Sequence, residues 1–190
     1  MKDYREKIQR YIKMETALMD SIDVENLNLV INQLEAARCQ GKTIYICGNG
    51  GSASTASHFV CDFNKGVSLE QEEKYKFICL NDNTPYMMAI ANDIGYEQIF
   101  KIPLENKISP GDIFIGISGS GNSENVILAA EYAKKQGAIV IGLTGYDGGK
   151  LKKIATYSLH AVIDNMQIVE DIHLMMDHLM MWVLSEGSNE

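Results

Sequence analysis

From residue 43 onward, short β-branched apolar runs alternate with helical patterns, and this alternation constrains the fold more than any other feature. The apolar runs are Thr43–Cys47, Phe77–Leu80, Ile113–Ile117, Ile139–Leu143 and Tyr157–Ile163. The helical patterns are Ser52–Phe63, Pro85–Asp93, Asn122–Gln136, a short one after Gly148, and Ile168–Leu184. The runs are apolar throughout, which indicates strands buried on both faces. The sequence therefore predicts an α/β fold in which helices cover both faces of a parallel sheet.

The residues before this core are predicted to form two helices. Apolar or aromatic side chains recur at helical spacing from Tyr4 to Met19 and again from Val24 to Ala37. Asp23 stands where an N-cap is expected, and Gly41 ends the second pattern. A chain of 190 residues is long enough for one domain with a full core. We therefore expect a single domain over residues 1–190, with a helical segment 1–41 and an α/β core 42–190.

Composition and charge exclude several classes of function. The net charge of −8 would repel a nucleic-acid backbone, and no local basic patch offsets it. There is no run of about eighteen apolar residues that could span a membrane, and the mixed-charge N-terminus is unlike a signal peptide. The four cysteines form no CxxC pair, which favours reduced, buried thiols. We expect a cytoplasmic protein that binds neither nucleic acid nor membrane.

Two of the apolar runs lead into glycine- and serine-rich turns that open a helix. The first turn is Gly48–Ser54 and the second is Ser118–Ser123. In a parallel α/β sheet, ligands bind at the carboxyl ends of the strands, where helix N-termini present free N–H groups. Neither turn has the Walker A lysine or the full GxGxxG fingerprint. One such turn is explained equally well as a tight serine-capped connection, but two on one sheet favour a site for a phosphorylated small molecule.

The two turns together resemble those of the sugar isomerase (SIS) domain. Further motifs are similar to its phosphoheptose isomerase branch, whose members act on sedoheptulose 7-phosphate. These motifs are Ala91–Tyr96, Leu143–Lys150, and Glu170–His173 with His178. The resemblance spans nearly the whole chain. It implies a three-layer α/β/α sandwich with a five-stranded flavodoxin-like sheet, a homotetramer to which the N-terminal helices contribute, and active sites at subunit interfaces.

The resemblance also implies roles for individual residues. The implied substrate-binding residues, with the phosphate on the second turn, are Asn49, Gly50, Gly51, Ser52, Asn92, Asp93, Ser118, Gly119, Ser120, Ser123 and Glu170. The implied ligands of zinc or another divalent ion are His58, Asp62, Glu170 and His178. Asp62 is the implied catalytic base and His178 the implied acid.

Four residues depart from the usual pattern of this branch. Asp62 stands where glutamate is usual, Gly119 where threonine is usual, Gln167 where aspartate is usual, and Glu170 where glutamine is usual. Three functions therefore stay open. The chain is a phosphoheptose isomerase, an isomerase of another sugar phosphate, or a non-catalytic protein that binds a phosphosugar or docks a partner such as a replication initiator.

Aldose–ketose isomerisation requires side chains that act as a general base and a general acid. It needs a base beside the carbonyl carbon and an acid that moves protons between two oxygens. His58 and Asp62 are four residues apart on a predicted helix and share one face. On the last helix, Glu170 is aligned with His173, whereas His178 lies two turns and about 80° away. Spacing leaves the choice between the two histidines open, and the resemblance favours His178.

Overall fold

The computed structural model describes residues 2–186 and confirms the α/β/α sandwich. The strands are β1 (Ile44–Gly48), β2 (Phe77–Cys79), β3 (Ile113–Ser118), β4 (Ile139–Thr144) and β5 (Tyr157–His160). The helices are α1 (Arg5–Met19), α2 (Val24–Cys39), α3 (Gly51–Cys61), α4 (Thr84–Asp93), α5 (Lys101–Leu104), α6 (Glu124–Lys135), α7 (Gly149–Ile154) and α8 (Met166–Glu186). A π-helical segment (Asp62–Val67) continues α3. Met1 and residues 187–190 of the expected domain lie outside the described residues.

The sheet is parallel throughout, with strand order β2-β1-β3-β4-β5. The order reverses between β1 and β3, and this switch point is where ligands bind in open α/β sheets. At the end of these two strands, Gly48 lies opposite Ile117. The turns that follow β1 and β3 therefore leave the sheet side by side.

Strand residues alternate between two cores, one on each face of the sheet. In β1, Ile44 and Ile46 pack into the core that α2, α3 and α8 cover. Tyr45 and Cys47 pack into the core that α4, α5, α6 and α7 cover. Because both faces are covered, every β1 residue is buried, which accounts for the continuous apolar runs in the sequence.

Most element boundaries agree with the predictions to within two residues, and β5 is the exception. It ends at His160, three residues before the predicted end at Ile163. Within residues 2–186, β5 pairs with β4 alone, and the pairing ends where β4 ends, at Thr144 opposite His160. Asp23 is confirmed as the N-cap of α2, where its carboxylate accepts a hydrogen bond from the Asn26 backbone N–H at 3.0 Å.

The cysteine prediction is only partly right. All four thiols are free, and Cys47 and Cys79 are buried, but Cys39 and Cys61 are exposed. The two exposed thiols are each the last residue of a helix, α2 and α3. Over residues 2–186, none of the helices is long and apolar enough to cross a lipid bilayer.

Candidate active site

The turn after β1 is held to the sheet by Asn81. Its side chain accepts a hydrogen bond from the Gly48 N–H (3.2 Å) and donates one to the Gly48 carbonyl (2.9 Å). A Cβ at Gly48 would lie 2.7 Å from the Ser52 carbonyl oxygen. Gly50 has a φ of +58°, a conformation that favours glycine. These two glycines allow the sharp turn that brings the start of α3 to the edge of the sheet.

Asn49 is fixed in this turn by three hydrogen bonds. Its amide exchanges two with the amide of Asn125 on α6, each 2.9 Å long. The Tyr96 hydroxyl donates a third to the Asn49 Oδ1, at 2.8 Å. Sequence analysis did not predict Asn125, and the available signal was a polar residue within the apolar pattern of its helix. Asn125 and Tyr96 therefore set the direction of the Asn49 side chain.

The turn after β3 is braced against the turn after β4. The Gly119 carbonyl accepts a hydrogen bond from the Gly145 N–H (2.8 Å), and the Gly121 carbonyl accepts one from the Leu151 N–H (2.9 Å). At the start of α6, the Ser123 hydroxyl accepts a hydrogen bond from Ser118 Oγ (3.1 Å) and caps no backbone N–H of the helix. The hydroxyl hydrogen of Ser123 is thus free to point at a ligand.

A cavity of about 270 Å³ lies between the two turns. The predicted substrate residues that line it are Asn49, Gly50, Gly51, Ser52, Ser118, Gly119, Ser120, Ser123 and Glu170. Ile117 and Met166 complete the lining. The lining contains no lysine or arginine, so backbone N–H and hydroxyl groups are the donors that it offers to an anion. The structure therefore brings both predicted turns to one cavity.

Asn92 and Asp93 lie outside the lining of this cavity. They are the last two residues of α4, both are exposed, and the Asn92 amide donates a hydrogen bond to Asp93 Oδ1 at 2.7 Å. Their contact with a substrate stays a prediction.

His58, Asp62 and His178 come together at the junction of α3 and α8. Nε2 of His58 lies 3.0 Å from Nε2 of His178, and Asp62 Oδ2 lies 3.5 Å and 3.9 Å from these two nitrogens. Asp62 opens the π-helical segment, a local widening that is frequent at functional sites. Asn64 fixes this segment by exchanging two hydrogen bonds of 2.9 Å with the backbone of Phe77 in β2.

Asp177 adds a second carboxylate that sequence analysis missed. Its side chain is fully buried, and neither oxygen has a hydrogen-bond partner among the described residues. Burial, with a smaller contribution from the nearby Asp62 charge, raises the pKa of Asp177 to about 8. The signal in the sequence was its spacing, since it lies seven residues after Glu170 and so on the same face of α8. One ligand atom from each of His58, Asp62, Asp177 and His178 lies within 4.8 Å of the others.

The separations within this cluster fit a small metal ion. Ligand atoms about 2.0–2.1 Å from a tetrahedral zinc ion are about 3.3 Å from one another. The measured separations among the two imidazole nitrogens and the Asp62 oxygen run from 3.0 to 3.9 Å. Imidazole nitrogens and carboxylate oxygens are also ligand types that zinc accepts. The two orphaned oxygens of Asp177 are acceptors that an ion could satisfy. The residues present therefore fit a divalent ion.

Glu170 is not a member of this cluster and lies between it and the turns. Its carboxylate covers Gly51, where a Cβ would lie 2.4 Å from one carboxylate oxygen. A second cavity, of about 290 Å³, is lined by Gly51, Ser54, Thr55, His58, Glu170, Asp171 and Leu174. Gly51 and Glu170 line both cavities, and His58 lines the second. The two cavities are therefore adjacent, with Glu170 between the serine-rich turn and His58.

His173 faces the sheet and takes no part in the cluster. It is buried, and its Nε2 lies 3.2 Å from the Thr144 carbonyl oxygen at the end of β4. Burial lowers the pKa of His173 to about 4. Of the two histidines that spacing left open, His178 is the one that joins His58 and Asp62.

The buried His173 predicts a stability loss in mild acid. Between the folded pKa of about 4 and the ordinary value of 6.5, the unfolded chain binds a proton that the folded chain does not. The contribution of neutral His173 to the free energy of unfolding is therefore fully present above pH 6.5. It falls by about 3 kcal/mol as the pH falls to 4. We expect His173→Gln to flatten the decline of the free energy of unfolding between pH 7 and 5, measured by urea denaturation. An equally steep decline in the variant would contradict a buried neutral His173.

The chain is similar in sequence and fold to known proteins. The SIS-domain family profile matches residues 4–145. A probable phosphoheptose isomerase of Thermoplasma acidophilum is 32% identical over 178 residues, which cover 94% of this chain and 97% of that protein. A phosphoheptose isomerase of Fusobacterium nucleatum is 42% identical over 140 residues, covering 74% and 71% of the two chains. The solved structure of phosphoheptose isomerase from Neisseria gonorrhoeae superposes with a TM-score of 0.88 at 26% identity, over 97% of this chain and 100% of that one.

Proposed function

The chain belongs to the SIS-domain family and, within it, to the phosphoheptose isomerases, and from this premise we propose that it converts sedoheptulose 7-phosphate to an aldose heptose 7-phosphate. One observation carries the proposal for the site: Gly51 and Glu170 line both cavities and so connect the serine-rich turn to His58. An open-chain sugar would place its phosphate on the turn and its carbonyl end at the cluster. Incubation with the ketose phosphate, with and without zinc, and NMR detection of an aldose product tests the proposal.

Proton transfer in the proposed reaction falls to Asp62 and His178. The Asp62 carboxylate removes a proton from C1 of the ketose, and the electron pair of that bond forms the C1–C2 double bond. The C2 oxygen takes a proton from His178, which gives a neutral enediol. Asp62 then returns a proton to C2, and His178 takes the proton from the C1 hydroxyl, which leaves the aldehyde at C1 and restores both side chains. Asp62 suits the first step because its side chain is only 12% exposed, which shields the carboxylate from water.

His58, Asp62 and His178 are also the groups that would hold a divalent ion, with zinc the favoured candidate because of the two imidazoles. Such an ion would polarise the substrate oxygens and stabilise the negative charge that develops on them. It would take over the part of the proton from His178, because an imidazole nitrogen that holds a metal ion carries no proton. Asp62 has a second carboxylate oxygen besides Oδ2, and that oxygen serves proton transfer when Oδ2 faces the imidazoles.

Removal of the Ser123 hydroxyl tests where the phosphate binds. Hydrogen bonds to charged groups contribute about 1.5–3 kcal/mol, so Ser123→Ala is expected to raise KM for the sugar phosphate by about 10–100-fold. Inhibition by inorganic phosphate is expected to weaken in parallel, with a smaller change in kcat. Ser109→Ala is the matched control, since Ser109 is exposed and lies before the opposite end of β3. An unchanged phosphate inhibition constant in Ser123→Ala would contradict the placement.

We also propose that the chain acts as a homotetramer in the cytosol. Support comes from large apolar side chains that lie exposed on one chain, among them Tyr4, Ile8 and Ile12 near the N-terminus and Trp182 on α8. We expect these exposed apolar side chains to be covered by other subunits in the assembly. Sedimentation velocity measures the assembly, and a monomer at micromolar concentration would contradict it.

A further inference from the structure

We propose that Asp177 completes the metal site, so that His58, Asp62, Asp177 and His178 of one chain form the ligand set and Glu170 lies outside it. The inference deepens the proposed function, because it concerns the ion that the same cluster would hold. It departs from the ligand set that family resemblance implies, in which Glu170 occupies the fourth place.

The first observation is that the Asp177 carboxylate has no protein partner. The side chain has no exposed surface, and both oxygens lack a hydrogen bond within residues 2–186. Burying a carboxylate without a partner costs several kcal/mol. Native proteins satisfy nearly all such groups, so an orphan of this kind indicates a ligand that the chain itself does not supply.

The second observation is what lies beside this carboxylate. Its charged neighbour is Asp62, a second carboxylate that it repels. Neither a lysine nor an arginine pairs with Asp177 in the described part of the chain. A divalent cation compensates two carboxylates at once, and the two imidazoles complete a four-coordinate shell. The polar atoms are already gathered, since one atom of each residue lies within 4.8 Å of the others.

The third observation concerns Glu170. Along α8, a separation of seven residues places Glu170 and Asp177 on one stripe, but about 10 Å apart along the helix axis. The Glu170 carboxylate lies against Gly51 in the walls of both cavities and not among the four clustered groups. It therefore faces the space for the substrate, while Asp177 faces the ion from the protein interior.

Metal affinity of two variants tests the ligand set. Purified protein is stripped with a chelator, and zinc affinity is measured by competition with a chromophoric chelator. We expect Asp177→Asn to weaken zinc binding by at least about 10–100-fold, the loss that even an outer-shell partner causes. Glu170→Ala, which removes every potential ligand atom of that side chain on the same helix, is expected to leave the zinc affinity unchanged. Replacement by cobalt(II) gives a second readout, because visible absorption of four-coordinate cobalt would be lost only in Asp177→Asn.

Thermal unfolding separates loss of a ligand from loss of the fold. Without metal, Asp177→Asn is expected to unfold at or above the wild-type temperature, because it replaces a buried carboxyl group that has no hydrogen-bond partner among the described residues. With zinc, the wild type is expected to gain stability and the variant to gain little. If Asp177→Asn does not fold, Asp177→Leu provides an apolar replacement for the same measurements. Wild-type zinc affinity in the Asp177 variants, or an equal loss in Glu170→Ala, would overturn the inference.

The outcome is independent of the proposed activity. Zinc binding that depends on Asp177 in a protein without isomerase activity would contradict the proposed function and support the proposed metal site. Isomerase activity together with zinc binding that is unchanged in the Asp177 variants would support the proposed function and contradict the proposed metal site.

Discussion

Asp62→Asn is expected to lower kcat for the isomerisation by about 10²–10⁴-fold, the contribution typical of a positioned general base. The amide keeps the shape of the carboxylate but can neither take a proton nor carry the charge that faces the imidazoles of His58 and His178 at 3.5 and 3.9 Å. The measurement is steady-state turnover of sedoheptulose 7-phosphate, with circular dichroism to verify the fold.

Two further variants show whether the effect belongs to the carboxylate at this place. Asp62→Glu keeps the charge and is expected to retain most of the activity. Asp20→Asn removes an exposed carboxylate just after α1 and is expected to leave kcat unchanged. Retention of more than a tenth of wild-type kcat by Asp62→Asn would remove Asp62 from the role of base.

Gly121→Ala is expected to produce the second large effect, on stability and on phosphate binding together. Gly121 has a φ of +66°, and a Cβ there would lie 2.0 Å from the Gly148 carbonyl oxygen. Left-handed strain alone costs roughly 1–2 kcal/mol, and the overlap with backbone adds to it. We expect the melting temperature to fall by about 5–10 °C and KM for the sugar phosphate to rise.

Gly41→Ala is the control that separates the two causes, the steric overlap with the Gly148 carbonyl and the strain of a left-handed backbone. Gly41 has nearly the same φ, +63°, but the nearest atom to its Cβ would be the mobile Lys76 Nζ at 3.4 Å. This variant is expected to lose only the strain energy and to keep its KM. Equal effects of the two substitutions would show that the contact between the turns after β3 and β4 does not matter.

The sequence predicts the sheet well because its strands are buried on both faces. Ile44 and Cys47 face opposite cores, yet both must be apolar, and such runs are recognisable without knowledge of the partners. The two glycine-rich turns are predictable for a similar reason. The conformation of Gly50 and the close contacts of Gly48 each demand a residue without a side chain.

The cluster is less predictable, because it depends on how two helices pack. Helical spacing places Asp177 on the same face as His173 and Met180, both buried, but it does not show which groups meet the carboxylate there. Its position beside Asp62 follows from the packing of α8 against the π-helical segment, which is a tertiary effect. Which of His173 and His178 joins the cluster also depends on tertiary packing. Both lie on α8, and only the position of the Thr144 carbonyl shows which of them faces the sheet.

The most direct test of the proposed function is the fate of sedoheptulose 7-phosphate with the purified protein in deuterated water. Proton removal from C1 by Asp62, exchange of that proton with the solvent and return of a deuteron to C2 predict that the NMR signals of an aldose heptose 7-phosphate appear, with deuterium at C2. Neither product nor exchange is expected with Asp62→Asn. Absence of both with the wild-type protein, under zinc-loaded and metal-free conditions and with phosphate binding intact, would contradict the isomerase and leave a phosphosugar-binding protein.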